Sequence, residues 1–256
     1  MQDLTLTLVQ RELAWEDPAD NRAGIEETLA QLDGGTDLIV LPEMFTTGFS
    51  MNAVANAEPP GGPTEDWLRN LAGEMDCAIS GSIAVRVDDA VYNRMLFVTP
   101  DTVHHYDKRH LFTMAGEHKR YSAGRERKVV SWRGWNILLQ VCYDLRFPVF
   151  SRNRGDYDLA LYVANWPDSR RLHWRQLLIA RAIENQCFVA GVNRIGSDAK
   201  GLDYSGDSLL VDAGGDMLLD LEAKKSAATG AVSGASLLAY RERFPFLADG
   251  DGFQLD

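Results

Sequence analysis

The 256-residue chain is 45% apolar, enough for one sizeable core, and carries a formal charge of −11 from 37 acidic residues against 26 Lys plus Arg. That acidity, with no long basic run, makes nucleic acid and anionic membrane poor partners. There is no charged-then-apolar leader and no uninterrupted apolar stretch of spanning length, so a soluble, cytoplasmic protein is expected.

Strand and helix patterns alternate from end to end. Leu4 to Val9 reads as a strand, and Pro18 to Leu32 as a helix opened by proline and closed by Gly34-Gly35. Asp37 to Leu41 is a short apolar run, as in a strand buried on both faces. Pro59 to Pro63 is a loop, with Thr64 and Asp66 starting the next helix. Strands are predicted over 77–87, 92–99 and 102–106, then over 128–132 and 135–141 around Arg133-Gly134.

Leu159–Ala164 is a further strand, and Arg171 to Gln186 a helix whose apolar side falls to Leu172, Trp174, Leu177, Leu178 and Ile183. Phe188–Ile195 is a strand, and Ser208–Val211 and Met217–Leu221 flank the hairpin signal Ala213-Gly214-Gly215-Asp216. Ala227–Val232 closes the core, and an irregular tail begins at about 234. No repeat or linker stands out, so residues 1–256 are read as one α/β domain with mixed strands and helices packed on sheets.

Three cysteines at wide spacing, Cys77, Cys142 and Cys187, argue against disulfides and against a CxxC zinc site. Cys77 and Cys187 each open an apolar run and read as buried. Cys142 differs: the strand-like Leu138–Val141 leads into it, and a turn and Pro148, suited to opening a helix, follow. A thiol there can face a cleft beside main-chain N–H groups, which stabilise a thiolate or an oxyanion. A small buried apolar residue is the other reading of the same pattern.

Two more segments place charges just beyond predicted strands: Glu43 in Leu41-Pro42-Glu43-Met44-Phe45, and Lys108 in Tyr106-Asp107-Lys108-Arg109-His110-Leu111-Phe112. Each alone is also a plain solvated charge. Together with Cys142 they supply a base, a cation and a nucleophile. Spacing does not by itself bring 43, 108 and 142 together. A zinc site from His104, His105, His110 or His118 lacks support, since adjacent histidines on a strand face opposite ways.

These three segments, in this order, resemble the nitrilase superfamily of carbon–nitrogen hydrolases, which use a Glu-Lys-Cys triad. The likeness runs from the first strand to about residue 233. Glu117, seven residues before Gly124, resembles the family's second glutamate. Within the superfamily, Cys142-Tyr143-Asp144-Leu145-Arg146-Phe147-Pro148, Val163-Ala164-Asn165-Trp166-Pro167 and Ala180–Gln186 look most like the ω-amidases, which hydrolyse the terminal amide of 2-oxoglutaramate and 2-oxosuccinamate. The resemblance implies a four-layer α-β-β-α sandwich, a homodimer, and no metal or organic cofactor.

It also implies roles. Cys142 attacks the amide carbon, Lys108 and the Tyr143 main-chain N–H hold the oxyanion, Glu43 moves the proton, and Glu117 positions Lys108 or the substrate amide. A distal substrate carboxylate calls for a cation in so acidic a protein. Arg146 is the first candidate, Arg171 and His173 the next; a structural pair of Arg146 with Asp144 or Asp158 is the alternative. Phe45 and Trp166 are candidate apolar walls or core residues. Rival activities are hydrolysis of N-carbamoyl compounds or of deaminated glutathione, and a non-catalytic interaction protein on the same fold.

Overall fold

The computed structural model describes residues 1–32, 34–224 and 226–254. Its first half runs β1 (Leu4–Gln10), α1 (Pro18–Leu29), β2 (Leu38–Val40), α2 (Ala53–Asn56), α3 (Pro63–Met75), β3 (Ala78–Val87), β4 (Ala90–Val98) and β5 (Val103–Asp107). Next come β6 (Val129–Trp132), β7 (Trp135–Val141), α4 (Pro148–Ser151), β8 (Leu159–Ala164), α5 (Arg171–Asn185) and β9 (Phe188–Asn193). The chain continues through β10 (Ile195–Ser197), β11 (Asp203–Ser205), β12 (Leu209–Val211), β13 (Met217–Asp220), β14 (Ser226–Val232) and α6 (Gly234–Arg243).

Two six-stranded sheets result, in the orders β14-β1-β2-β3-β4-β5 and β13-β12-β9-β8-β7-β6, with β10 and β11 paired separately. Side-chain alternation sorts the strand residues into layers. Leu4, Leu6, Leu8, Leu38 and Val40 meet Ile137, Leu139, Leu161 and Val163 of the second sheet in one core. Their neighbours Val9, Ile39 and Leu41 face the other way, onto Ile25 and Leu29 of α1 and Leu68 and Ala72 of α3. Burial on both faces is why β2 reads as a continuous apolar run. Helix α5 covers the second sheet through Trp174, Leu178 and Ala182. It comes so close that a Cβ on Gly191 of β9 would stand 2.4 Å from a Leu178 methyl. The architecture is the expected four-layer α-β-β-α sandwich.

Three features depart from expectation. On α5, Leu172 and Ile183 are exposed, while Arg181 and Asn185 are buried. Arg181 donates to the Leu145 carbonyl at 2.6 Å and to Glu184, leaving its Nε unpartnered, while Asn185 is held by the Arg181 carbonyl and the Asn153 N–H. The tail expected to be irregular contains α6, capped by Ser233 and tied down by Arg241, which donates to Asp158 and to the carbonyls of Tyr157 and Gln186. The tail's last two residues, Leu255 and Asp256, lie outside the described residues. The strand expected over 188–195 breaks at Arg194, where the chain leaves its pairing with β8 and resumes at Ile195 in the separate ladder with β11, and the Asn193 side chain bonds the main chain of Trp166.

Candidate active site

The parallel strands β7, β8 and β9 pair with Val141 opposite Val163 and Ala164 opposite Asn193, so the residues that follow gather along one edge of the second sheet. Cys142 comes first off β7, at φ +45°, in the left-handed region that a side chain with a Cβ rarely adopts. A short 3₁₀ turn over Cys142–Arg146 follows, and Pro148 opens α4. Cys142 Sγ lies 4.0 Å from the main-chain oxygen of Asn165, beyond the end of β8.

Glu43, Lys108 and Glu117 are buried beside it. The Glu43 turn is pinned to β3 by the Met44 and Phe45 N–H groups, which donate to the hydroxyl and carbonyl of Ser82. Glu43 Oε1 accepts from Lys108 Nζ at 2.9 Å and from Asn93 Nδ2 at 2.8 Å. Its Oε2 accepts the Asn165 N–H at 2.8 Å. Lys108 Nζ also donates to both oxygens of Glu117, at 3.1 and 3.0 Å. Glu117 in turn takes the Phe112 N–H at 2.5 Å. One ammonium thus sits between two carboxylates, out of water.

Electrostatics follow from that burial. Desolvation alone would lower the Lys108 ammonium, but the charges of Glu117 and Glu43 reverse this and hold it well above its usual range. Desolvation, opposed by Lys108 and reinforced by Glu43, pushes the Glu117 carboxyl up. The Cys142 thiol is raised well above its ordinary value, first by burial and then by the Glu43 charge, against the pull of Lys108. Both effects favour the neutral thiol form of the sulfur, which lies beside the Glu43 side chain. Cys77 and Cys187 are buried as expected, raised to about 11 and about 12 chiefly by desolvation, and neither lines the cavity that Cys142 faces.

Cys142 and Lys108 line a cavity of about 60 Å³. Phe49, Phe112, Tyr143, Trp166 and Tyr204 supply its aromatic surface, and Arg146 and Arg170 its other cations. Phe45 is not among the lining residues: it lies in the core between the first sheet and α3, its ring 6.2 Å from that of Trp67. Phe49, one helical turn's length further on, takes the wall position, with Lys108 Nζ 5.2 Å from its ring centre.

Arg146 lies over the Trp166 ring at 4.7 Å and meets His173 Nδ1 at 3.1 Å. The acids weighed as its partners are engaged elsewhere, Asp144 by Tyr106, His110 and Val141, and Asp158 by Arg241 and the Asn136 N–H. Arg171 is bound to Asp207 through two hydrogen bonds and does not line the cavity. Its neighbour Arg170, which the sequence reading passed over, lines the cavity against Phe112. Burial, followed by the charge of Arg170, lowers the Arg146 guanidinium, as expected for two cations facing a shared space. No grouping of His, Cys, Asp and Glu able to hold a metal ion occurs among the described residues.

A family model described as carbon–nitrogen hydrolase matches residues 5–241. Over the full length of both chains, the sequence is 54% identical to the ω-amidase YafV of Yersinia enterocolitica and 49% identical to that of Escherichia coli strain K12. A 2-oxoglutaramate amidase of Bacillus subtilis is 32% identical over 96% of each chain. Among solved structures, a CN-hydrolase superfamily protein from Xanthomonas campestris, with an arsenic adduct in its active site, matches at a TM-score of 0.98 and 49% identity, covering 100% of both chains.

Proposed function

The chain belongs to the carbon–nitrogen hydrolase family, and from that premise we propose that it is an ω-amidase, releasing ammonia from the terminal amide of short dicarboxylate monoamides such as 2-oxoglutaramate. One observation carries the substrate class. The buried pair Cys142 and Lys108 shares a small, largely aromatic cavity with two half-buried guanidiniums, Arg146 and Arg170, neither of which forms an ion pair with an acid among the described residues. An amide at the sulfur and a carboxylate at the arginines fill such a space from both ends.

The chemistry proceeds by acyl transfer. Glu43 accepts the Cys142 proton as sulfur bonds to the amide carbon, and the oxyanion is held by the Lys108 ammonium and the Tyr143 N–H. Glu43 returns the proton to nitrogen as the C–N bond breaks and ammonia leaves, giving a thioester. Water then attacks the thioester carbon, Glu43 taking its proton. Collapse of the second oxyanion breaks the C–S bond, the acid departs and the proton returns to sulfur. Glu117 keeps the ammonium in place without touching the reacting carbon. Arg146 takes the distal carboxylate, with Trp166 as its apolar support.

Ammonia release across an amide panel tests this reading. The expected order is 2-oxoglutaramate and 2-oxosuccinamate far above an uncharged amide of equal length, an N-carbamoyl amino acid and deaminated glutathione. Preference for either rival compound would reassign the substrate.

In the same reading the whole chain, 1–256, works as one catalytic unit in the cytoplasm and as a homodimer. Exposed apolar side chains on three helices, Val149, Leu172, Ile183 and Leu238, support the pairing. Sedimentation of a monomer at micromolar concentration would remove it.

A further inference from the structure

We propose that Asp144, two residues after the nucleophile, is a positioning residue that sets Lys108 against Cys142. The inference rests on the catalytic roles just given to those two side chains.

Asp144 is fully buried and its two oxygens accept four hydrogen bonds. Oδ1 takes the His110 N–H at 2.9 Å and His110 Nδ1 at 2.8 Å. Oδ2 takes the Val141 N–H at 3.0 Å and the Tyr106 hydroxyl at 2.8 Å. Val141 immediately precedes Cys142, whereas Tyr106 and His110 stand two residues before and two after Lys108. The segment carrying the ammonium is therefore wrapped around a carboxylate that belongs to the nucleophile's own turn.

The surroundings make this clamp stiff. Tyr106 Oη also accepts the Arg109 N–H at 3.1 Å, closing the 106–110 segment on itself. Burial, then the Asp144 charge, keeps the Tyr106 phenol well above its usual range, so it stays a donor. His110 stacks on Phe147 with ring centres 3.9 Å apart and meets Phe150 edge-on, which fixes the direction of Nδ1. Glu43 also bonds Lys108 Nζ, at 2.9 Å, and lies against the Cys142 thiol, but it belongs to a third segment, whereas Asp144 ties the 106–110 segment to the elbow from within the elbow itself.

The bonding pattern makes the carboxylate hard to replace. Each oxygen accepts one main-chain N–H, and a main-chain donor cannot reverse its role. In Asp144→Asn, either amide rotamer turns an NH₂ against the N–H of His110 or of Val141. One side of the clamp is lost whichever way the amide settles. Displacement of about 1 Å between reacting groups costs roughly 10²-fold in rate, and that is the fall in kcat expected for Asp144→Asn, with KM for 2-oxoglutaramate little changed.

The test reads kcat per titratable Cys142 thiol together with the rate of Cys142 alkylation by iodoacetamide. A purely structural loss lowers the fraction of active sites and leaves both per-site values alone. The clamp predicts that both fall together, because the ammonium no longer supports the forming thiolate. His110→Ala keeps its main-chain N–H but loses the Nδ1 donor, and should show a smaller fall in the same two values. Wild-type per-site values in Asp144→Asn, or in His110→Ala if the asparagine variant does not fold, would overturn the proposal. Absence of ω-amide turnover in the unmodified protein would instead defeat the substrate assignment, and the alkylation comparison would still decide the role of Asp144.

Discussion

Replacing Glu43 with glutamine removes the proposed base of the site while leaving its volume almost unchanged. The carboxylate oxygens face three donors, Lys108 Nζ and Asn93 Nδ2 on one and the Asn165 N–H on the other. A glutamine turns its NH₂ toward at least one of them in either rotamer. It also cannot accept the thiol proton, and a positioned acid–base group is worth about 10²–10⁴ in rate. We therefore expect kcat for ammonia release to fall by at least the lower figure. The fold should tolerate the change better than the chemistry, because Lys108 keeps Glu117 at 3.0 Å and is not left as a lone buried charge. Breaking a sole buried pair costs roughly 3–5 kcal/mol, whereas the loss here should be nearer the 1–3 kcal/mol of an unsatisfied buried hydrogen-bonding group. Steady-state ammonia release, normalised to titrated thiols, and urea unfolding provide the two readings. A folded Glu43→Gln protein with more than a tenth of wild-type kcat would refute the role of the carboxylate.

Arg146→Ala should raise KM for 2-oxoglutaramate roughly tenfold or more, the loss of one partly solvated charge-assisted hydrogen bond, and leave kcat/KM for an uncharged amide unchanged. Equal effects on both substrates would remove its carboxylate-binding role. The raised Cys142 thiol favours the neutral form, so alkylation should keep accelerating with pH through its ordinary value of 9 rather than levelling off near neutrality. Asp37 is held below its usual range, since its bonds to Thr5 and its Arg133 partner outweigh desolvation. A depressed carboxylate stabilises the fold above its unfolded pKa and loses that contribution as pH falls through the folded value. Asp37→Asn should accordingly cost about 1–2 kcal/mol at pH 7 in urea melts, with a gap to wild type that narrows below about pH 4. A gap unchanged at acid pH would contradict the ionic origin.

The strand framework was legible because its residues alternate or run apolar in short bursts, as in Leu38-Ile39-Val40, with Gly and Pro marking the gaps. Glu43, Lys108 and Cys142 each stand just past such a run, two of them off the first sheet and one off the second, and the packing of the two sheets brings them together with Glu117. The pocket was less legible for a physical reason. Phe45 and Phe49 are both aromatic and follow the same strand, and only the turn that Ser82 holds decides which one enters the core. Likewise Arg170 and Arg171 are identical in sequence terms until Asp207 captures one of them. Helix α6 carried a readable signal in its Ser233 cap and its Arg241 and Arg243 last turn, although its anchoring to Asp158 depends on a contact 83 residues away.

The most direct measurement sets wild-type protein beside Cys142→Ala with 2-oxoglutaramate as substrate, following ammonia and 2-oxoglutarate together. The account predicts equimolar release of both products by the wild type and none above background by the alanine variant, whose core should be little disturbed by loss of one sulfur. Near-normal turnover by Cys142→Ala would contradict it.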